Sequence, residues 1–209
     1  CANHTRAHLK FTLILIKNKE IIDVAITKKQ HIINTAADLF KEKGYTATSI
    51  RDLASKVGLE PSSIYSHIKS KEDLLTEICQ SCATRFSNGM NEIYFQDITE
   101  RKKIKALIHL HLEIAYDIPA SITVFNDEWK FLHDDAKADF LESRKDYEKK
   151  FKKILTDGKK NGKFSFENED IAFNVVIKML SWSYIAVKKY HKESLESELT
   201  KFIIKALSE

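Results

Sequence analysis

Little in this chain interrupts regular structure: two prolines and five glycines are spread over 209 residues. So few chain breakers argue for long uninterrupted helices. Three cysteines, an odd number, give no disulfide framework and point to a reducing compartment. There is no G-x-S-x-G elbow, no Walker loop, no set of dinucleotide glycines and no H-E-x-x-H pair. No catalytic residues stand out, so no enzyme, cofactor or resident metal is expected. The run Phe11–Ile16 is shorter than a signal-peptide core and far short of a spanning helix, so no secretion or membrane signal is read and the cytoplasm is the expected location. A net charge of +4 does not by itself indicate nucleic acid. The charge must be local to matter. A hydrophobic content of 43% nevertheless supports a real core, and 31% charged residues fit a surface-rich helical protein.

The most structured text is Ser49–Lys71. Ser49 is placed to N-cap a helix, with Asp52 completing a capping box. Ile50, Leu53, Ala54 and Val57 recur at helical spacing and give that helix one buried stripe. Gly58 follows at the C′ position, where a left-handed residue is wanted, and Leu59 plugs the turn. Pro61 opens the next helix, where its missing N–H costs nothing. Ile64 and Ile68 face the core, which leaves Pro61, Ser62, Ser63, Tyr65 and Ser66 outward and His67 near the end. Small hydroxyls let a helix sink into the major groove and reach base edges or phosphates. Ser70 begins a second capping box with Lys71 at the new helix N-terminus, an end suited to phosphate. Arg51, Lys56, Lys69 and Lys71 flank the reading helix, with Lys28 and Lys29 opening the helix before it. This is helix-turn-helix grammar; an ordinary helical corner with a solvated serine face would read the same way locally.

The preceding text narrows the choice. Thr27–Gln30 forms a T-x-x-Q capping box, followed by an apolar face of Ile32, Ile33, Ala36, Ala37, Leu39 and Phe40, and Gly44 ends that helix. The run A-A-x-L-F-x-x-x-G-Y-x-x-T-S-x-R-D-L-A-x-x-V-G, then S-x-I-Y-x-H-I-K-S-K-E-D-L-L, resembles the N-terminal domain of TetR-family transcriptional regulators over Ile32–Leu75. The position of Ile68 is more often Phe in that family, a core difference. The resemblance implies an all-α fold: an N-terminal three-helix helix-turn-helix domain and a C-terminal helical ligand-binding and dimerisation domain. The expected division is residues 1–26 as an extension, 27–70 as the DNA-binding domain and 71–209 as the second domain. Residues 1–26 lack an initiator Met and carry the strand-like Lys10–Lys17. They read as a non-native remnant, a mobile basic arm or a packing segment; the first two are favoured because an exposed run of this kind is an aggregation hazard.

Beyond residue 70, helices are expected at Lys71 to about Asn88, interrupted by Ser87-Asn88-Gly89, then at Glu100–Asp117, Pro119–Leu132, Asp135–Asn161, Asn168–His191 and Ser194–Leu207. The first carries Leu74, Leu75, Ile78, Cys79, Cys82 and Phe86 along one side and joins the domains. Cys79-x-x-Cys82, without a second pair or a suitably spaced His, reads as two small semi-buried residues before it reads as a redox or zinc site. Asn168–His191 is apolar nearly all round and must be covered on several sides. With the narrower stripe of Leu195, Leu199, Phe202, Ile203, Ala206 and Leu207, it implies a two-fold dimer through a four-helix bundle.

His109, His111, Tyr116, Phe125, Trp129, Phe131 and His133 mix aromatic faces with polar tips, which fits a small-molecule pocket or plain core. His109 and His111 fall on different helix faces, so a joint metal site is not expected. Asp127-Glu128 and His133-Asp134-Asp135 read as solvated helix caps. The pattern Arg144, Tyr147, Phe151, Gly158, Gly162, Phe164 and Trp182 is similar to family members that respond to fatty acyl-CoA thioesters. The expected ligand residues are thus Tyr116, Phe125, Trp129, Arg144, Tyr147, Phe151 and Trp182. For DNA they are Ser49, Arg51, Lys56, Pro61, Ser62, Ser63, Tyr65, His67 and Lys71. The function implied is a homodimeric regulator, a repressor before an activator, released from a palindromic double-stranded DNA operator by a small apolar effector. The alternative is a helical lipid or small-molecule carrier, or an enzyme, that retains the corner. Salt separates the two, since DNA binding must weaken steeply with ionic strength.

Overall fold

A computed structural model describes residues 28–208. The expectations for residues 1–26 and for Thr27 as a helix cap lie outside the described residues. Ten α-helices and one 3-10 turn make up the described chain, and no strand occurs in it. They are α1 (Lys28–Lys43), α2 (Ile50–Val57), α3 (Pro61–Ile64), α4 (Lys71–Phe95), α5 (Glu100–Asp117), α6 (Pro119–Asp127), the 3-10 turn Trp129–Phe131, α7 (Asp134–Lys160), α8 (Glu169–Ser181), α9 (Ser183–Ala186) and α10 (Lys192–Ala206). The fold is all-α.

Two large apolar cores divide it. The first gathers Ile32, Ala36 and Phe40 of α1, Leu53 and Ala54 of α2, Ile64 and Ile68, and Leu74, Leu75 and Ile78 of α4, with Val124, Leu132 and Phe140 reaching in from beyond. The second gathers Met90 and Ile93 at the far end of α4 with Ile104, Leu107, Ile108, Phe151, Ile154, Leu155, Phe173, Val176, Leu180, Leu199 and Ile203. A small cluster of Ile114, Ala115 and Ile122, with Phe86 and Phe125 against it, lies at the joint. A fully buried Leu or Ile side chain contributes about 1.5–3 kcal/mol, so α4 is held firmly at both ends.

Several helix limits differ from the expected ones. α4 runs through Ser87-Asn88-Gly89 to Phe95 without interruption. Gly89 is there for closeness, because a Cβ would stand 2.5 Å from Leu110 Cδ1 on α5. The helix expected over Pro61–Ile68 is regular only to Ile64. Beyond it the chain turns, with the Ser66 hydroxyl donating to the Ser63 carbonyl at 2.7 Å, a local bond that competes with helix propagation. The span Pro119–Leu132 breaks into α6 and the 3-10 turn. The span Asn168–His191 breaks at Trp182, beside a Ser181 hydroxyl that donates back to the Lys178 carbonyl at 3.1 Å. Its apolar surface is covered on one side only: Ala172, Phe173, Val176 and Leu180 are buried, whereas Ile171 is 64% exposed and Val175 47%.

α7 ends on a turn with Gly162 at φ +64°, and the buried Phe164 ring folds back over Gly158. The Gly158 carbonyl accepts from the Lys163 and Phe164 N–H groups at 2.8 and 3.2 Å. A Cβ on Gly158 would collide with that ring. Gly158→Ala is therefore expected to destabilise the protein by about 1–3 kcal/mol, despite the roughly 1 kcal/mol that Ala gains over Gly within a helix. Urea unfolding followed by circular dichroism checks this; an unchanged or higher midpoint would contradict the packing.

Candidate nucleic-acid interface and ligand cavity

The α2–α3 corner is built by its caps. Ser49 Oγ accepts from the Asp52 N–H at 3.1 Å, and Asp52 Oδ2 accepts from the Ser49 N–H at 2.9 Å. The Ser49 hydroxyl and Lys43, which is 2.9 Å from Asp52, hold the Asp52 carboxyl well below the usual carboxylate range. Gly58 adopts φ +73°, and its N–H and that of Leu59 close back on the Ser55 and Ala54 carbonyls. Leu53, Ala54, Ile64 and Ile68 are buried, while Ile50 and Val57 are half-buried.

With the core side of α3 occupied, Ser62, Ser63 and Tyr65 project into solvent, Tyr65 with 56% of its surface exposed. Pro61 and His67 are half-exposed beside them. The side chains of Ser62, Ser63, Tyr65 and His67 make no hydrogen bond to any described residue. Their donors and acceptors are unspent. Arg51 and Lys69 are exposed, and Lys56 is exposed with only a loose 3.9 Å pairing to Glu42. Lys28 is exposed as well, whereas Lys29 is paired with Glu77 at 2.9 Å. Lys71 is placed differently from the other cations. Its ammonium donates to the Tyr45 and Thr48 carbonyls at 3.0 Å each and lies 4.3 Å from the centre of the Tyr45 ring. It ties the N-terminus of α4, capped by Ser70, to the α1–α2 loop. Burial and the neighbouring Glu72 push the Tyr45 phenol up to about 12.

A cavity of about 520 Å³ opens among α4, α5, α6, α7, α8 and α9, within the usual range for small-molecule sites. Phe86, Phe125, Trp129, Phe140 and Phe173 line it. Trp129 and Phe140 stack with centroids 5.3 Å apart, and the Arg144 guanidinium lies over both rings at 5.4 and 5.7 Å. His111 and Tyr147 also line the cavity, His111 Nε2 2.8 Å from the Tyr147 hydroxyl. Burial lowers the imidazole from 6.5 to about 3 and raises the phenol. Both are uncharged at neutral pH. The charged lining residues are Asp127, Arg144 and Lys178, all exposed, and the half-buried Glu148, which is paired with Lys152 at 2.5 Å. A second hollow of about 340 Å³ adjoins through Ala83, Ser87, Phe140 and Ser143.

Of the ligand residues expected from sequence, Phe125, Trp129, Arg144 and Tyr147 come together on this cavity, and Tyr116, Phe151 and Trp182 stand off it. The Tyr116 hydroxyl donates to the Tyr190 carbonyl at 2.6 Å. Phe151 is buried in the core between Tyr147 and Phe173. Trp182 faces solvent beside Tyr190. Of the wider aromatic set, His109 is paired with Glu196 at 3.1 Å, and Phe131 stacks on Tyr45. Sequence reasoning missed Phe86, Phe173 and Tyr184, and the mouth residues Asn174, Lys178 and Ser181. Those three repeat at i, i+4 and i+7 and are the only polar residues of α8 after Asp170, a signal that could have found them. Cys79 and Cys82 are buried, and burial pushes both thiols up to about 12, so they stay protonated and unreactive. Among the described residues no cluster of His, Cys, Asp and Glu is placed to hold a metal ion, and no helix is long and apolar enough to cross a membrane.

Residues 32–78 match the family model described as bacterial regulatory proteins, tetR family, and residues 97–185 match that described as tetracyclin repressor-like, C-terminal domain. The chain is similar to the HTH-type transcriptional repressor KstR2 of Mycolicibacterium smegmatis, 26% identical over 166 residues that span 78% of this chain and 80% of that one. The solved ketosteroid transcriptional regulator KstR2 of Mycobacterium tuberculosis superposes with a TM-score of 0.80 at 18% identity, covering 88% of this chain and 96% of that one. A structure of AibR in complex with isovaleryl coenzyme A and operator DNA superposes with a TM-score of 0.72 at 17% identity, covering 83% and 96%.

The His111 imidazole makes a pH prediction. Between about 6.5 and about 3 the unfolded chain takes up a proton that the folded chain refuses. Its contribution to stability is therefore complete above the unfolded value and is lost as pH falls towards the folded one. The stability of the wild type relative to His111→Gln should decline by up to about 1.4 kcal/mol per pH unit across that window. Parallel urea titrations read the difference, and a pH-independent difference would refute it.

Proposed function

The chain belongs to the TetR family of helix-turn-helix transcriptional repressors, and from that premise we propose that it occupies a palindromic operator as a homodimer and leaves it when a small apolar effector fills the cavity. Residues 27–70 are assigned to DNA and residues 71–209 to effector binding and dimerisation. The observation that carries the reading is the outward face of α3 and the turn after it, where Ser62, Ser63 and Tyr65 hold unspent hydroxyls beside the exposed cations Arg51, Lys56 and Lys69. The hydroxyls and His67 read bases or adjacent phosphates, and the cations hold the backbone. Ser49 and Pro61 set the two helix starts at that surface. Lys71 has one donor left after its two carbonyls and adds its charge there. The protein works where operator DNA is, in the cytoplasm, and performs no catalysis.

The effector class proposed is an acyl-CoA thioester. The aromatic cavity suits an acyl chain, and Arg144 and Lys178 at its mouth suit phosphate. The adjoining hollow leaves room for an elongated molecule. The isovaleryl coenzyme A bound by AibR, which shares the fold, supports the same class. Two paths connect cavity to corner. Phe86 lines the cavity from α4, the helix that Lys71 ties to the DNA-binding core. Trp129 lines it from the 3-10 turn whose Phe131 stacks on Tyr45 at 5.6 Å. An effector moves the equilibrium only by preferring the state in which the two reading helices no longer fit their half-sites.

The dimer is proposed through α8 and α10. Ile171, Val175 and Trp182 form an exposed apolar stripe, joined by Phe202 of α10, which is 61% exposed. Val175→Glu is expected to convert the protein to a monomer in sedimentation velocity and to weaken operator binding with it. A dimer that persists unchanged would remove this face from consideration. Tyr65→Ala is expected to cost about 1–3 kcal/mol of operator affinity with the dimer intact. Fluorescence anisotropy on an operator selected from random duplexes, run at two salt concentrations, measures it. An unchanged affinity would count against the assigned roles.

A further inference from the structure

The His111–Tyr147 pair is not needed for apolar packing and is not accounted for by an apolar effector alone. It sits on α5 and α7, lines the cavity, and is backed by aromatic rings: Phe86 lies 4.8 Å from the imidazole and 6.1 Å from the phenol, measured between centroids. Burying two polar heads in such surroundings is costly unless each has a partner. Each head is the other's partner, and no buried side-chain nitrogen or oxygen among the described residues lacks one. A neutral imidazole brings one donor and one acceptor, and a phenol brings one donor and acceptor lone pairs. After the shared 2.8 Å bond is made, one donor hydrogen remains, on the Tyr147 oxygen or on His111 Nδ1 according to the tautomer.

Taking the cavity as the effector site, on which this rests, we propose that the His111–Tyr147 pair recognises an uncharged carbonyl oxygen on the effector and so selects for a ketone, ester or thioester over both a hydrocarbon and a carboxylate. The carbonyl accepts the remaining hydrogen. A carboxylate is refused because it needs a counter-charge, and the imidazole does not supply one: burial keeps it neutral down to about pH 3. The cations of the lining, Arg144 and Lys178, are exposed to solvent, so negative charge on a ligand belongs outside with them. The phenol stays protonated, since burial raises it as well, and remains a donor. The cavity thus has a polar, uncharged point within aromatic walls and a charged rim.

Three probes of nearly equal shape test this on the full chain by equilibrium dialysis at neutral pH: 2-acetylnaphthalene, 2-ethylnaphthalene and 2-naphthoate. The ketone is expected to bind the wild type about tenfold tighter than the hydrocarbon, the size of one well-placed hydrogen bond to a buried donor. The carboxylate should bind weakest. The double variant His111→Leu/Tyr147→Phe removes both polar heads together and leaves no orphaned partner, so it should fold and should bind ketone and hydrocarbon within about twofold of each other. Equal binding of ketone and hydrocarbon by the wild type overturns the inference and leaves the cavity reading standing. A preference that survives in the double variant also overturns it, as does tighter binding of the naphthoate than of the ketone. Failure of all three probes to bind overturns the cavity reading itself.

Discussion

α4 is buried at both ends in different cores, and this governs how the rest of the molecule can behave. Its first turns contribute Leu74, Leu75 and Ile78 to the DNA-binding core, and its last turns contribute Met90 and Ile93 to the larger one. Between them Phe86 is half-exposed on the cavity wall. Well-packed interiors resist small displacements and tend to have discrete arrangements. In the proposed switch, a rod fixed in two such interiors would carry a change at its middle from one core to the other. Gly89 makes the grip tight: without a side chain there, Leu110 of α5 reaches the α4 backbone.

The second connection has different chemistry. Tyr45 touches the Phe40 ring edge-on at 5.1 Å, the Phe131 ring face-on at 5.6 Å and the Lys71 ammonium at 4.3 Å. One side chain thus joins α1, the start of α4 and the turn that carries Trp129 into the cavity. α6 also packs directly on α1. The corner is therefore held from both the α4 side and the α6 side, and the position of α3 depends on all of these contacts. Tyr45, Phe131 and Lys71, none of them on α3, thus help set where Ser62, Ser63 and Tyr65 stand.

What was legible in the sequence was local. The capping serines, the left-handed Gly58 and the Ile64–Ile68 spacing each follow from the chemistry of four or five neighbouring residues, and together they specified the corner and its outward face. The misread limits needed information from elsewhere in the chain. Gly89 has the composition of a breaker, and only the arrival of Leu110 makes it a packing residue. The short α3 and the break at Trp182 both lie beside serines that bond back to the main chain, a choice that propensity leaves open. The cavity was legible as chemistry and not as location. Phe125 and Phe151 are alike as sequence, yet one is on the wall and the other behind it. Whether an aromatic meets a neighbour or a void depends on the convergence of six helices, which no single helical period encodes.

The same convergence decides what kind of ligand could drive a switch. Apolar surface gains free energy on burial in either arrangement of the helices, so the effector's apolar bulk contributes affinity with little preference between states. Directional contacts behave otherwise, because a hydrogen bond weakens steeply when its geometry is lost. His111 and Tyr147 are on separate helices, α5 and α7, while Phe86 and Trp129 belong to the two elements that reach the corner. A molecule that must satisfy a polar point on one pair of helices while its body presses on the other pair discriminates between arrangements that bulk alone would not. In the proposed switch, that division between a polar point on α5 and α7 and aromatic walls on the elements that reach the corner would let the effector discriminate between the two states.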